Sequence, residues 1–175
     1  MKKRLPILSL MVALLLAAGC QSAPKADLPA LDKVHAAVKT ELGEDYFPDR
    51  ALTAEELETL MGVKAADVES FVAEMPNISM RIDTFIAVRA KAGKGDAVKK
   101  ALEAYRTFLV EESMQYPMNL AKVNAATVVA HGDDVYFLML GKMDETSEDV
   151  ESDDAKAFAE GEVARVKAVV DGFYK

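Results

Sequence analysis

Hydrophobic positions recur with two different periods along the chain, and each change of period marks an element. Leu31, Val34, Val38 and Leu42 fall at helical spacing, with Gly43 as a natural stop. Residues 44–52 read as a loop around Pro48. Thr53-Ala54-Glu55-Glu56 has the form of a capping box, in which the threonine oxygen takes the free N–H three residues on and the glutamate reaches back. The helix it opens is expected to bury Leu57, Leu60 and Met61 and to end at Gly62. Val68, Phe71 and Val72 stand at i, i+3 and i+4, which predicts another short helix over 65–74, closed by Met75-Pro76.

From about Asp83 to Lys91 the period drops to two. Ile86, Val88 and Ala90 alternate with Phe85, Ala87 and Arg89, the pattern of a strand. Gly93 and Gly95 predict a turn, and Asp96 is the expected N-cap of a helix over 97–115. That helix carries Val98, Ala101, Leu102, Tyr105 and Leu109 on one face, and Pro117 ends or re-aims it. Thr127–His131 and Val135–Leu140 flank Gly132-Asp133-Asp134, a hairpin signal. Residues 135–140 are continuously apolar, which predicts a central strand covered on both faces. Seven acids in 144–154 predict a solvated loop, and Ala155–Tyr174 a final helix. The order is N-terminal helices followed by β-α-β-β-α. It predicts one α+β domain over 31–175, with a small, mostly antiparallel sheet of about three strands packed by helices. Phe71, Ile86, Val88, Leu102, Leu109, Phe137 and Leu138 are expected to share its core.

The start of the chain belongs to neither period. Met1-Lys2-Lys3-Arg4 is followed by uncharged residues from Leu5 to Gly19, the pattern of an export signal over 1–19. As a helix those residues reach about 22 Å, short of the roughly 30 Å of a bilayer core, and Pro6 shortens the helix further. The run ends in Leu16-Ala17-Ala18-Gly19-Cys20, which resembles the lipobox of bacterial lipoproteins; leucine stands one place earlier than is usual there. The resemblance implies cleavage between Gly19 and Cys20 and a diacylglyceryl group on the Cys20 thiol. Two acyl chains anchor firmly where one does not. Residues 21–30 (QSAPKADLPA) then read as a flexible tether, at most about 35 Å long when extended.

Charge narrows the partners. The whole chain carries a net −8, and loss of Lys2, Lys3 and Arg4 with the signal takes it to −11. An acidic domain gains nothing from phosphate backbones, so nucleic acid is not an expected partner. Cys20 is the only cysteine, so no internal disulfide is available and an ordinary core must supply stability.

Candidate chemistry is sparse. His35 is expected on a helix surface. His131, beside Asp133 and Asp134, is the one conceivable acid–base pair, although turn chemistry alone explains Gly-Asp-Asp. Gly93-Lys94-Gly95 lacks the remainder of a nucleotide fingerprint or a P-loop and reads as a turn. A calcium loop from Asp144 would need glycine at its sixth place and glutamate at its twelfth, where Asp149 and Ala155 stand. Met61, Met75, Met80, Met114, Met118, Met139 and Met143 read as core filler rather than soft-metal ligands. No catalytic residue, metal site or cofactor is expected.

Several local patterns line up in order. They are Leu60-x-Gly62, Asp67-Val68-Glu69, Met75-Pro76, Ile86-Ala87-Val88, Tyr116-Pro117, Val123-Asn124, and Gly132 followed by Val135-Tyr136. Over roughly residues 31–140 the chain resembles a family of small bacterial lipoproteins catalogued as a domain of unknown function, DUF4358. The acidic segment 144–154 is longer than that family's pattern. The resemblance implies an exported, lipidated α+β domain and brings no activity or catalytic residue. Relatives sometimes lie beside membrane-bound O-acyltransferases and envelope acetylation proteins, so it also implies a membrane O-acyltransferase system as a partner.

The expectation is therefore a non-catalytic accessory lipoprotein, held to the membrane on its extracytoplasmic side through Cys20 and binding an envelope or membrane protein. Two alternatives stand beside it: an envelope-polymer-modifying enzyme that uses convergent carboxylates, and a small solute-binding lipoprotein. A two-lobed binder needs a longer chain, which places the last behind the others.

Overall fold

The structure is a computed structural model and describes residues 28–78, 80–147 and 149–175. Its elements are α1 (Leu31–Leu42), β1 (Arg50–Ala51), α2 (Ala54–Met61), β2 (Val68–Met75), β3 (Thr84–Ala90), α3 (Gly95–Glu111), α4 (Leu120–Ala125), β4 (Thr127–His131), β5 (Asp134–Met139) and α5 (Asp153–Gly172). The strands form one antiparallel sheet in the order β1-β2-β3-β5-β4.

Alternation along the two central strands divides the core. Ile86, Val88, Val135, Phe137 and Met139 point to one face, where Leu57 and Met61 of α2 and Val98, Leu102 and Leu109 of α3 meet them. Phe85, Ala87, Tyr136 and Leu138 point to the other, against Val34 and Val38 of α1 and Val166 and Val170 of α5. The α+β class holds, and β5 is buried along its whole length, as its unbroken apolar run requires. The expected single core is in fact two: Leu138 lies across the sheet from Ile86 and Phe137.

The sheet has five strands rather than about three, because residues 68–75 form β2 and not a helix. The register of β2 on β3 shifts between Val68 and Ser70. That bulge inserts one residue, so Val68 and Phe71 turn to the same face, joined by Ala73 and Met75, while Val72 packs on the other. A bulged strand thus reproduces the i, i+3, i+4 spacing of a helix. β1 is two residues long and carries no period of its own.

Other boundaries follow local chemistry. The capping box of α2 is formed, with Glu56 N–H donating to Thr53 Oγ1 at 3.1 Å and Thr53 N–H to Glu56 Oε2 at 2.9 Å. Leu60, however, is 52% exposed. α3 begins at Gly95, so Asp96 lies in its first turn and is not the cap. The carboxylate of Asp133 takes that place from across the molecule, accepting from Gly95 N–H at 2.9 Å and Gly93 N–H at 3.0 Å. The two glycine-containing turns are therefore one structural device. A Cβ on Gly95 would sit 2.5 Å from the Gly132 carbonyl. α3 ends at Glu111, and after a turn at Pro117–Asn119 the short α4 follows, which the sequence pattern does not announce. Asp153 and Asp154 of the acidic run fall in the first turn of α5, where they favour the positive end of the helix, and Ser152 caps it. Met61 and Met139 fill the core, but Met80, Met114 and Met118 are exposed, which corrects the reading of the methionines as core filler.

Candidate functional site

Three polar clusters and two grooves beside α2 are candidate places for chemistry or binding. The first cluster centres on Asp134, which is fully buried at the start of β5. Arg89 of β3 forks onto it, Nε to Oδ1 at 2.7 Å and Nη2 to Oδ2 at 2.7 Å, a bidentate charge-assisted pair. Arg89 Nη2 also donates to the Pro29 carbonyl at 2.7 Å. The Tyr174 hydroxyl donates to Asp134 Oδ2 at 2.8 Å and lies 2.6 Å from the Tyr136 hydroxyl. Burial raises both phenols, Tyr136 to about 12, so both stay protonated donors.

His131 stacks flat on Tyr174 with ring centroids 4.0 Å apart, and its Nε2 lies 3.0 Å from Asp171 Oδ1. Burial works against ionisation of Asp171, but hydrogen bonds from Lys167 and His131 outweigh it and hold the carboxyl below its ordinary range. The sequence placed His131 with Asp133 or Asp134. The structure engages those acids with Gly93 and Gly95 and with Arg89 instead, and gives the histidine a partner 40 residues away.

The second cluster corrects the expectation for His35, which is largely buried rather than on the surface. Its Nε2 lies 2.8 Å from the Tyr46 hydroxyl and 3.2 Å from Glu74 Oε2, and the Tyr46 hydroxyl donates to the same oxygen at 3.0 Å. Burial lowers the His35 pKa and raises that of Tyr46, so the group closes α1 onto β2 with a neutral imidazole and a protonated phenol.

The third cluster lies where β3 begins. Lys122 of α4 donates to Asp83 Oδ1 at 2.5 Å and to the Gly141 carbonyl at 2.7 Å, and both charged side chains are almost wholly buried. Burial raises the Asp83 pKa against the pull of Lys122. Asp83 Oδ2, Asn119 Oδ1 and Arg81 Nη1 are buried without a hydrogen-bond partner in the structure. Local sequence pattern does not reveal this cluster: Asp83 stands at a strand boundary, and Lys122 sits in a helix too short to show a face. The displaced carboxyls Glu56, Asp144, Glu162 and Asp171 are each held below their ordinary range by hydrogen-bond donors beside them. No group of three or more His, Cys, Asp or Glu side chains placed to hold a metal occurs among the described residues. Asp144 folds its own loop, accepting from the Thr146 N–H and hydroxyl.

The grooves flank α2. A trough of about 560 Å³ runs between α2 and α3, lined by Leu60, Met61, Ala97, Ala101, Ala104, Tyr105 and Phe108, with Lys64 and Lys100 beside them. Leu60 and Phe108 stand at it about half exposed. A second groove of about 410 Å³ lies between α2 and the outer edge of β2, lined by Leu57, Val63, Val68 and Phe71. β1 pairs only with Glu74 and Met75, so the rest of that edge has no strand beside it among the described residues.

Gly19, Cys20, the signal over 1–19 and the tether as far as Asp27 lie outside the described residues. Among the described residues no helix is long and apolar enough to cross a membrane.

Fold and grooves define a small α+β domain with an antiparallel sheet, helices on both of its faces and a trough on the α2–α3 side. The chain belongs to the family described as a domain of unknown function, DUF4358, whose model matches residues 42–140. The match takes in the sheet, α2, α3 and both grooves, and leaves out α5 and nearly all of α1. No curated protein and no solved structure matches the chain significantly.

Proposed function

We propose that the protein is a lipid-anchored extracytoplasmic binding module, non-catalytic, which holds an envelope or membrane protein against the furrowed α2 side of the domain. The observation that carries this reading is the α2–α3 trough with Leu60 and Phe108 standing exposed at it. The anchor rests on the lipobox-like run ending at Cys20. A domain on so short a tether meets membrane neighbours at high effective concentration, so moderate intrinsic affinity suffices. A membrane O-acyltransferase system is the partner class that the family resemblance suggests.

The test is site-specific photocrosslinking in intact cells. A photoreactive residue at Phe108 is expected to trap one or a few envelope proteins, the same residue at Lys33 on the far face is not, and Cys20→Ser is expected to lose most of the capture. Intact mass should show Cys20 as the lipidated first residue. Turnover on envelope polymers or acetyl esters that disappears with one Asp, Glu or His substitution, in a variant that still folds, would overturn the non-catalytic reading.

A further inference from the structure

The charge around the α2–α3 trough runs against that of the chain. The protein is acidic overall, at net −8, yet the trough is lined by Lys64, Lys100 and a single acid, Asp67, which Lys94 already holds at 3.2 Å. The Lys64 and Lys100 side chains are exposed and make no ion pair or side-chain hydrogen bond among the described residues. The other acids of the two flanking helices do not line the trough: Glu56 is held by Arg50 and Thr53, and Asp96 and Glu111 stand at the two ends of α3. Glu55 and Glu58 lie on the opposite flank of α2, while Glu103 of α3 pairs with Lys99 and borders another surface.

Its shape is specific too. Ala97, Ala101, Ala104 and Phe108 stand at i, i+4, i+7 and i+11 along α3. They give a row about 16 Å long, three helical turns, of small side chains ended by the Phe108 ring, with Tyr105 beside it. A second helix can approach such a row at the short end of the usual 8–10 Å interaxial range. An extended peptide gains nothing here, because the backbone groups of α2 and α3 are spent within the helices. An acyl chain gains little from an open trough, which leaves much of its surface in water.

We propose that the α2–α3 trough docks a single amphipathic helix of a partner protein, three to four turns long, whose apolar row lies between Leu60 and Phe108 and whose flanking carboxylates meet Lys64 and Lys100. The proposal rests on the binding-module reading and names its partner by chemistry. Apolar anchors at i, i+3 or i+4, and i+7 supply the affinity. The two lysines supply the choice of partner and an ionic-strength-dependent association rate.

Two synthetic peptides of about 14 residues, enough for nearly four turns, test it. They share one Leu/Ala row and differ only in flanking positions that are all Glu or all Lys. Anisotropy is measured against the full-length protein in neutral phosphatidylcholine nanodiscs, with empty nanodiscs as the blank. The Glu peptide is expected to bind, with affinity falling as salt rises. Lys64→Glu with Lys100→Glu is expected to cost about tenfold or more for the Glu peptide and to create binding of the Lys peptide, since like charges across an interface are penalised. The reciprocal gain separates lost attraction from lost folding. Equal binding of both peptides, a preference unchanged by the charge reversal, or no binding of the Glu peptide at millimolar protein each overturns the acidic-helix proposal. If Phe108 crosslinks persist in cells while the Glu peptide fails, the helix proposal falls and the binding-module reading stands. If the Glu peptide behaves as expected but the cell crosslinks are absent, the binding-module reading falls by itself.

Discussion

The two faces of the sheet are covered by similar numbers of helices but are finished differently. On the α1–α5 face, Val34, Val38, Val166 and Val170 are wholly buried, and polar contacts seal the rim. Arg165 of α5 reaches the Glu41 side chain of α1 at 2.8 Å, His35 and Tyr46 close on Glu74, and His131 on Asp171. On the α2–α3 face the inner residues are as deeply buried, with Leu57 and Leu102 at 1% or less exposure, yet a trough runs along the outer side of the touching helices. Burial beneath a helix and closure between helices are thus separate properties.

Four measurements test that contrast, from the largest expected effect down. Lys122→Met leaves Asp83 buried and unpaired, which should cost about 3–5 kcal/mol at neutral pH in urea unfolding. Asp83 has its folded pKa raised by burial, so its contribution is most favourable below the unfolded carboxyl value and is lost as pH rises through the folded one. The variant should therefore regain stability toward native as pH is lowered to about 4, near the ordinary aspartate value; a loss independent of pH would mean that Asp83 carries no uncompensated charge. Leu102→Ala on the α2–α3 face and Leu138→Ala on the α1–α5 face should each cost about 2–5 kcal/mol. A shift within error for Leu102→Ala alone would show that the α2–α3 face contributes nothing to the core.

Thr53→Ala removes the cap from α2, the wall shared by both grooves, and should cost about 1 kcal/mol. Leu60→Ala should change stability by no more than about 0.5 kcal/mol, as exposed positions do, while sharply reducing crosslinking in cells. A large stability loss there would make Leu60 part of the fold rather than of a contact surface.

What could be read from the sequence depended on how far apart the responsible residues lie. α1, the Thr53 cap, β3, the β4–β5 hairpin and α5 are set by residues within a turn or two of one another, and their patterns named them. β2 was concealed by its own bulge, which gives a strand the spacing of a helix. The polar clusters were illegible for a different reason. Asp83 and Lys122 are 39 residues apart and His131 and Asp171 are 40 apart, so no local window contains both partners. The trough was hidden because helical period assigned Leu60 inward, whereas Leu57 and Met61 take the buried positions of α2 and leave Leu60 at the trough.

The clamp of Arg89 on the Pro29 carbonyl bears on mechanics. With the domain hung from Cys20 as proposed, any load reaches it through residue 29. Arg89 passes that load directly into β3, and through the Asp134 fork into β5, the two strands at the middle of the ladder. Tension entering at an outer helix would peel it away turn by turn. Tension that passes through Arg89 is instead shared with the hydrogen bonds of the paired central strands. While the Arg89–Pro29 bond holds, part of the load bypasses α1, which the chain enters at Leu31, and is taken up in the middle of the sheet.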